Sequence, residues 1–166
     1  MSQEHYWKEF HRLKVHVCLL ELHLGKTEAI DRALKIFLAV TSSASIGGWV
    51  VWKDFAFMWS VLIAGSQVVN AVRQFLPYKE RLRTCSGLLN DLEELLVHVE
   101  SRWLDIAAGE LSEAEIRKAL LDLRTRRMKA FKKHFPESTI PDNPKLFAKA
   151  EAKAWAYFHN IYTEAK

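Results

Sequence analysis

Residues 36–72 read IFLAVTSSASIGGWVVWKDFAFMWSVLIAGSQVVNAV, two apolar runs set in an otherwise charged chain. The first 17 residues, 36–52, carry no charge, Lys53 and Asp54 interrupt, and residues 55–72 add 18 more without one. Uncharged runs of about 17–25 residues have the length of a membrane-crossing helix. At about 1.5 Å per residue each reaches about 26–27 Å, a little short of a hydrocarbon core of about 30 Å. Lys35 and Arg73 at the outer ends can snorkel to make up the difference. Trp49, Trp52, Phe55, Phe57 and Trp59 crowd the connecting tip, with Phe75 and Tyr78 at the other end, as rings do at membrane interfaces. The expectation is a two-helix transmembrane hairpin over 36–72. The competing reading is a water-surrounded bundle with one very apolar hairpin in its core, since Thr41, Ser42, Ser43, Ser45, Gln67 and Asn70 dilute both runs. Two adjacent helices free of charge on every face argue against that bundle.

The rest of the composition is unremarkable in ways that exclude other classes. The chain has 166 residues, 49% hydrophobic and 27% charged, which is neither disordered nor wholly membrane-buried. Cys18 and Cys85 are too few for a disulfide framework, and a reducing compartment suits them. Lys26, Arg32 and Lys35 precede the first run and Arg73, Lys79, Arg81 and Arg83 follow the second, against Lys53 alone at the tip. The positive-inside rule then places both termini in the cytoplasm. Residues 1–35 are charged and helical in pattern, not an apolar leader.

Outside the hairpin the periodicity is helical. Tyr6, Phe10, Leu13, Val17, Leu20 and Leu24 form one apolar face. Leu82, Cys85, Leu89, Leu92, Leu96, Val99, Trp103 and Ile106 step by alternating threes and fours for nearly four heptads, a coiled-coil seam and a candidate surface for oligomer formation. Gly109 stops that helix. Ser112 with Glu115 makes a capping box for the next, which runs through about Phe135 and folds back antiparallel. Asn143-Pro144 opens a terminal helix with Phe147, Ala150, Ala154, Phe158 and Ile161 on one side. The fold class is therefore all-α: an amphipathic helix (1–35), the membrane hairpin (36–72), a cytoplasmic helical hairpin (73–135) and a loop with a C-terminal helix (136–166).

Chemistry-bearing patterns are few. HExxH, CxxC, GxSxG and glycine-rich phosphate loops are missing, so neither an enzyme nor a cofactor is expected. His16 and His23 lie two turns apart, but no cysteine or carboxylate pattern completes a metal site. Within the hairpin, Thr41, Ser45, Gly48 and Trp52 share one face, and Ser60, Gln67, Asn70 and Gln74 another. Such polar groups in hydrocarbon need partners, so the stripes either line a pore or pack helices together. Both readings require association, and a homo-oligomer is expected. Arg124, Arg126, Arg127, Lys129, Lys132 and Lys133 fall within ten residues containing no acid. Anionic lipid headgroups or another phosphate-bearing ligand fit them, or an ordinary solvated helix face; nucleic acid comes last, because Phe131 is the only interleaved aromatic.

The helix ending near Leu24, the spans 36–52 and 55–72 and the long helix after Pro77 together resemble the SLATT-type effectors, small two-transmembrane proteins of bacterial conflict systems. The resemblance covers roughly residues 1–110 and is architectural; the segment after Gly109 lies outside it. It implies an oligomer in the bacterial inner membrane that opens pores in its own host when activated, in the service of antiviral defence. It also implies a regulatory protein or nucleotide-signal sensor as partner. A non-conducting membrane-anchored adaptor that docks a partner protein is the alternative.

Overall fold

A computed structural model describes residues 2–51, 56–73, 78–136 and 143–163, with side chains at 42–56, 59, 72–79 and 163 outside the description. Among the described residues the chain forms five helices: α1 (Ser2–Val51), α2 (Ala56–Arg73), α3 (Tyr78–Ala107), α4 (Glu113–His134) and α5 (Pro144–Thr163). No strand occurs among the described residues, so the protein is all-α. The chain divides into two compact units, one formed by Met1–Leu24 with Leu82–Lys166, the other by Gly25–Arg81. The expected N-terminal segment 1–35 is therefore not a unit of its own. α1 runs unbroken from Ser2 to Val51, and its first 24 residues belong to the same unit as α3, α4 and α5.

That first unit, the head, is a four-helix assembly closed by the seams read from the sequence. Tyr6, Phe10, Leu13, Val17 and Leu20 of α1 are each at most 1% exposed. They share a core with Leu88, Leu92, Leu95, Leu96, Val99 and Ile106 of α3, Ile116, Leu123 and Ala130 of α4, and Phe158 of α5. Burying one such aliphatic or aromatic side chain stabilises the head by about 1.5–3 kcal/mol. A second cluster joins α1 to α5 through Val15, Cys18, Ala150 and Ala154, where small side chains let the two helices approach. The aromatic end is dense: Trp7 lies 4.7 Å from Trp103, 4.9 Å from Phe158 and 5.8 Å from Tyr162, ring centre to ring centre. Of the face expected on the terminal helix, Ala150, Ala154 and Phe158 are buried, whereas Phe147 and Ile161 are exposed.

The helix ends follow local chemistry. Gly109 sits at φ +77°, the left-handed region that a side chain disfavours. Its N–H donates to Ile106 and that of Glu110 to Asp105, the pair of bonds that closes a Schellman motif after α3. Ser112 then caps α4: its Oγ accepts from the Glu115 N–H, and the Glu115 carboxylate accepts from the Ser112 N–H at 2.9 Å. Asn143 caps α5 by accepting from the Leu146 N–H at 3.1 Å, with Pro144 in the first turn where a missing N–H costs nothing.

The second unit holds the rest of α1 and all of α2. Among the described residues no helix is long and apolar enough to cross a membrane, so the structure does not support the expected spanning hairpin. The physical reason within α2 is dilution: Ser60, Ser66, Gln67, Asn70 and Arg73 interrupt its apolar residues. The connecting tip at 52–55 lies outside the described residues.

Candidate functional site

The hairpin unit buries polar groups and exposes apolar ones. Thr41 on α1 and Ser66 on α2 are its buried positions among the described side chains, each 8% exposed. Both hydroxyls are satisfied inside their own helices. Thr41 Oγ1 donates to the carbonyls of Phe37 (2.9 Å) and Leu38 (3.1 Å), and Ser66 Oγ to that of Ile63 (2.8 Å). Around them Ile36 and Val40 of α1 and Phe57, Met58, Val61 and Val68 of α2 are more than half exposed, Phe57 at 81%. Of the expected polar stripes, Thr41 is thus turned inward, while Ser60, Gln67 and Asn70 are exposed on α2. Ser45 and Gly48 lie on α1 with side chains outside the description, and Trp52 and Gln74 fall outside the described residues. Ser66 belonged to neither stripe, and its polarity alone did not separate it from Ser60.

The heptad seam is occupied from within. Cys85, Leu92, Leu96, Val99 and Ile106 are buried, Leu82, Leu89 and Trp103 half-buried, and the cover for the core positions is α1, α4 and α5 of the same chain. As a surface for joining copies the seam is corrected: it is the inner wall of the head. Leu88 and Leu95, outside the threes-and-fours series, are buried as well, because α3 is flanked by helices on more than one side.

The basic cluster is also divided by the fold. Arg124 and Arg127 turn to Glu9 on α1, a carboxylate only 8% exposed, at 3.0 and 2.7 Å. Arg126 pairs with Asp122 one turn back at 2.8 Å. Lys133 and His134 both reach Asp91 Oδ2 on α3 at 2.9 Å. These two donors, Lys133 first, hold the Asp91 carboxyl below its ordinary range. Among the described residues Lys129 and Lys132 have no acidic partner, so a ten-residue run without an acid is mostly neutralised by acids elsewhere in the sequence. Replacing Glu9 with Ala strips both arginines of their carboxylate; Arg127 is poorly solvated and Arg124 half-exposed, so the expected loss of stability is about 2 kcal/mol. Urea unfolding followed by circular dichroism checks this, and an unchanged midpoint would show the clamp to be idle.

Beside the cluster, α3 and α4 run antiparallel and leave two adjoining cavities of about 460 and 250 Å³ that share Leu95, His98 and Arg126. The larger reaches toward Leu111 and Glu115, the smaller toward Asp91 and Lys133. At the smaller cavity's end, Gly87 makes room for the His134 ring: a Cβ there would meet its Cε1 at 2.7 Å. Between α3 and α5, Tyr157 donates to the Glu100 carboxylate at 3.0 Å, and burial together with that carboxylate pushes the phenol up to about 12. Among the described residues no group of three or more His, Cys, Asp or Glu is placed to hold a metal ion.

No family model, no curated protein and no solved structure matches the chain.

Proposed function

We propose that the protein is a non-catalytic oligomeric membrane effector of a bacterial cell, in which the 36–72 hairpin enters the bilayer and permeabilises it while the helical head remains cytoplasmic. The observation that carries this reading is the hairpin unit's inverted burial: the hydroxyls of Thr41 and Ser66 are buried and self-satisfied, while Ile36, Val40, Phe57, Met58, Val61 and Val68 are exposed. In water that arrangement exposes a patch of the kind that marks a membrane or protein interface. In hydrocarbon it is the stable one, because Ser and Thr hydroxyls return their bonds to the helix backbone. The moderate apolarity of α2 fits entry as an assembly, in which the amides of Gln67 and Asn70 face other helices or water and not lipid. Expression in bacteria with a membrane-potential dye is the test. The expected result is a carbonate-resistant membrane fraction and depolarisation that Phe57→Asp with Val61→Asp abolishes. Recovery of the wild-type chain in the wash supernatant would end the membrane reading; membrane retention with an intact potential would favour the adaptor instead. The groove on the head gives that second reading its own support, since an anchored adaptor needs a face for its partner.

A further inference from the structure

We infer that the groove between α3 and α4 of the head is a docking site for an acidic amphipathic helix of a partner protein. Along α4 the groove runs from Glu115 to Lys133, which at 1.5 Å per residue is about 27 Å. A compact metabolite does not fill such a length, whereas a helix of about 18 residues does. The floor is apolar, formed by Leu95 and Val99 of α3 with Ala119, Leu123 and Ala130 of α4, and suits a helix laid in a groove by its apolar face.

The rims decide the sign of the partner. Asp91 is held by Lys133 and His134, Asp122 by Arg126, and Glu115 by the Ser112 cap, so three of the groove's acids are already answered. Glu94 stands as the exception at the edge of the smaller cavity. On the basic side Lys118 and Lys129 form no salt bridge among the described residues, Lys118 only sharing the field of the capped Glu115, and Arg102 reaches Asp105 only at 3.4 Å. His98 adds a ring nitrogen between them. The groove therefore offers uncommitted cations over an apolar floor, complementary to carboxylates flanking leucine-like anchors. The acidic amphipathic helix of this chain, α3, is itself a wall of the groove with its apolar face in the core, so neither this chain nor a second copy has it to offer.

The test uses the full chain in neutral detergent and fluorescence anisotropy of two labelled 18-residue helical peptides. Both carry leucines at threes-and-fours spacing; one has glutamates at the flanking positions, the other lysines. The glutamate peptide is expected to bind at least tenfold more tightly, and less so at high salt. Lys118→Glu with Lys129→Glu is expected to weaken it at least tenfold with unchanged circular dichroism and melting, whereas Lys132→Glu, outside the groove, leaves it within twofold. Equal binding of the two peptides, no binding of either, or an equal loss with Lys132→Glu would each overturn the assignment. Phosphatidylglycerol vesicles that bind through Lys118 and Lys129 while the peptide does not would give the groove to lipid and overturn it too.

Discussion

Leu92→Asp unfolds the head. Leu92 has no exposed surface and lies in the core with Phe10, Leu13 and Phe158. The substitution removes an aliphatic side chain, leaves a cavity and places a carboxylate where no cation or N–H has been provided. Truncation to Ala alone costs about 2–5 kcal/mol, and a buried unpaired charge adds several more. The sum exceeds about 4 kcal/mol, a large share of the 5–15 kcal/mol that holds a domain together. Near-ultraviolet circular dichroism of the full chain should lose its aromatic signal, with Leu92→Ala melting between the variant and the wild type. A Leu92→Asp chain that melts normally but forms smaller assemblies would return the seam to a role between copies.

Acid weakens the head through His16. Burial is the main cause that lowers this imidazole to about 4, with the nearby Arg127 and Arg12 cations adding to it, while Glu9 and a backbone bond to Arg12 oppose. Its Nδ1 is buried without a hydrogen-bond partner and its ring meets Phe131 edge-on at 5.6 Å. In the unfolded chain the same group titrates near 6.5. Between those values the unfolded chain binds a proton that the folded head refuses. The stability present above about pH 6.5 is thus lost as pH falls, by about 3 kcal/mol once pH reaches about 4. His16→Leu removes this slope and keeps the ring contact with Phe131 apolar. The measurement is the difference in unfolding free energy between wild type and variant across pH 7 to 4, because carboxylates such as Asp91 contribute equally to both. A difference that stays flat would sink the assignment.

How much of this was legible before the structure follows from what periodicity encodes. A stripe at 3.5 residues states that a helix face must be covered, and among the described side chains of α1 every fully buried one but Cys18 lies on the 6-10-13-17-20 series. It does not state by what. The Leu82–Ile106 seam reads the same whether α1 or another copy lies against it. Caps are legible because they are local: Gly109, Ser112 with Glu115, and Asn143-Pro144 each act within five residues. The basic cluster misled for the opposite reason. Two of its neutralising acids, Glu9 and Asp91, stand 115 and 42 residues from Arg124 and Lys133 and are brought near only by tertiary packing, whereas Asp122 lies one turn before Arg126. The burial of Thr41 and Ser66 was hidden too, because a hydroxyl that bonds to its own helix has the same sequence signature as one that seeks a neighbour.

The packing of Trp7 against Trp103 gives the head an optical marker of its own. Two indoles 4.7 Å apart with ring planes at 43° couple their excited states and rotate near-ultraviolet light in a way that neither does in isolation. Of the six tryptophans, Trp49, Trp52 and Trp59 belong to the hairpin sequence and Trp155 is mostly open to solvent. Loss of the coupled band therefore dates the opening of the aromatic end of the head, while quenching of Trp155 by dissolved iodide follows events on its surface. One unlabelled sample can report on two parts of the molecule in a single melt.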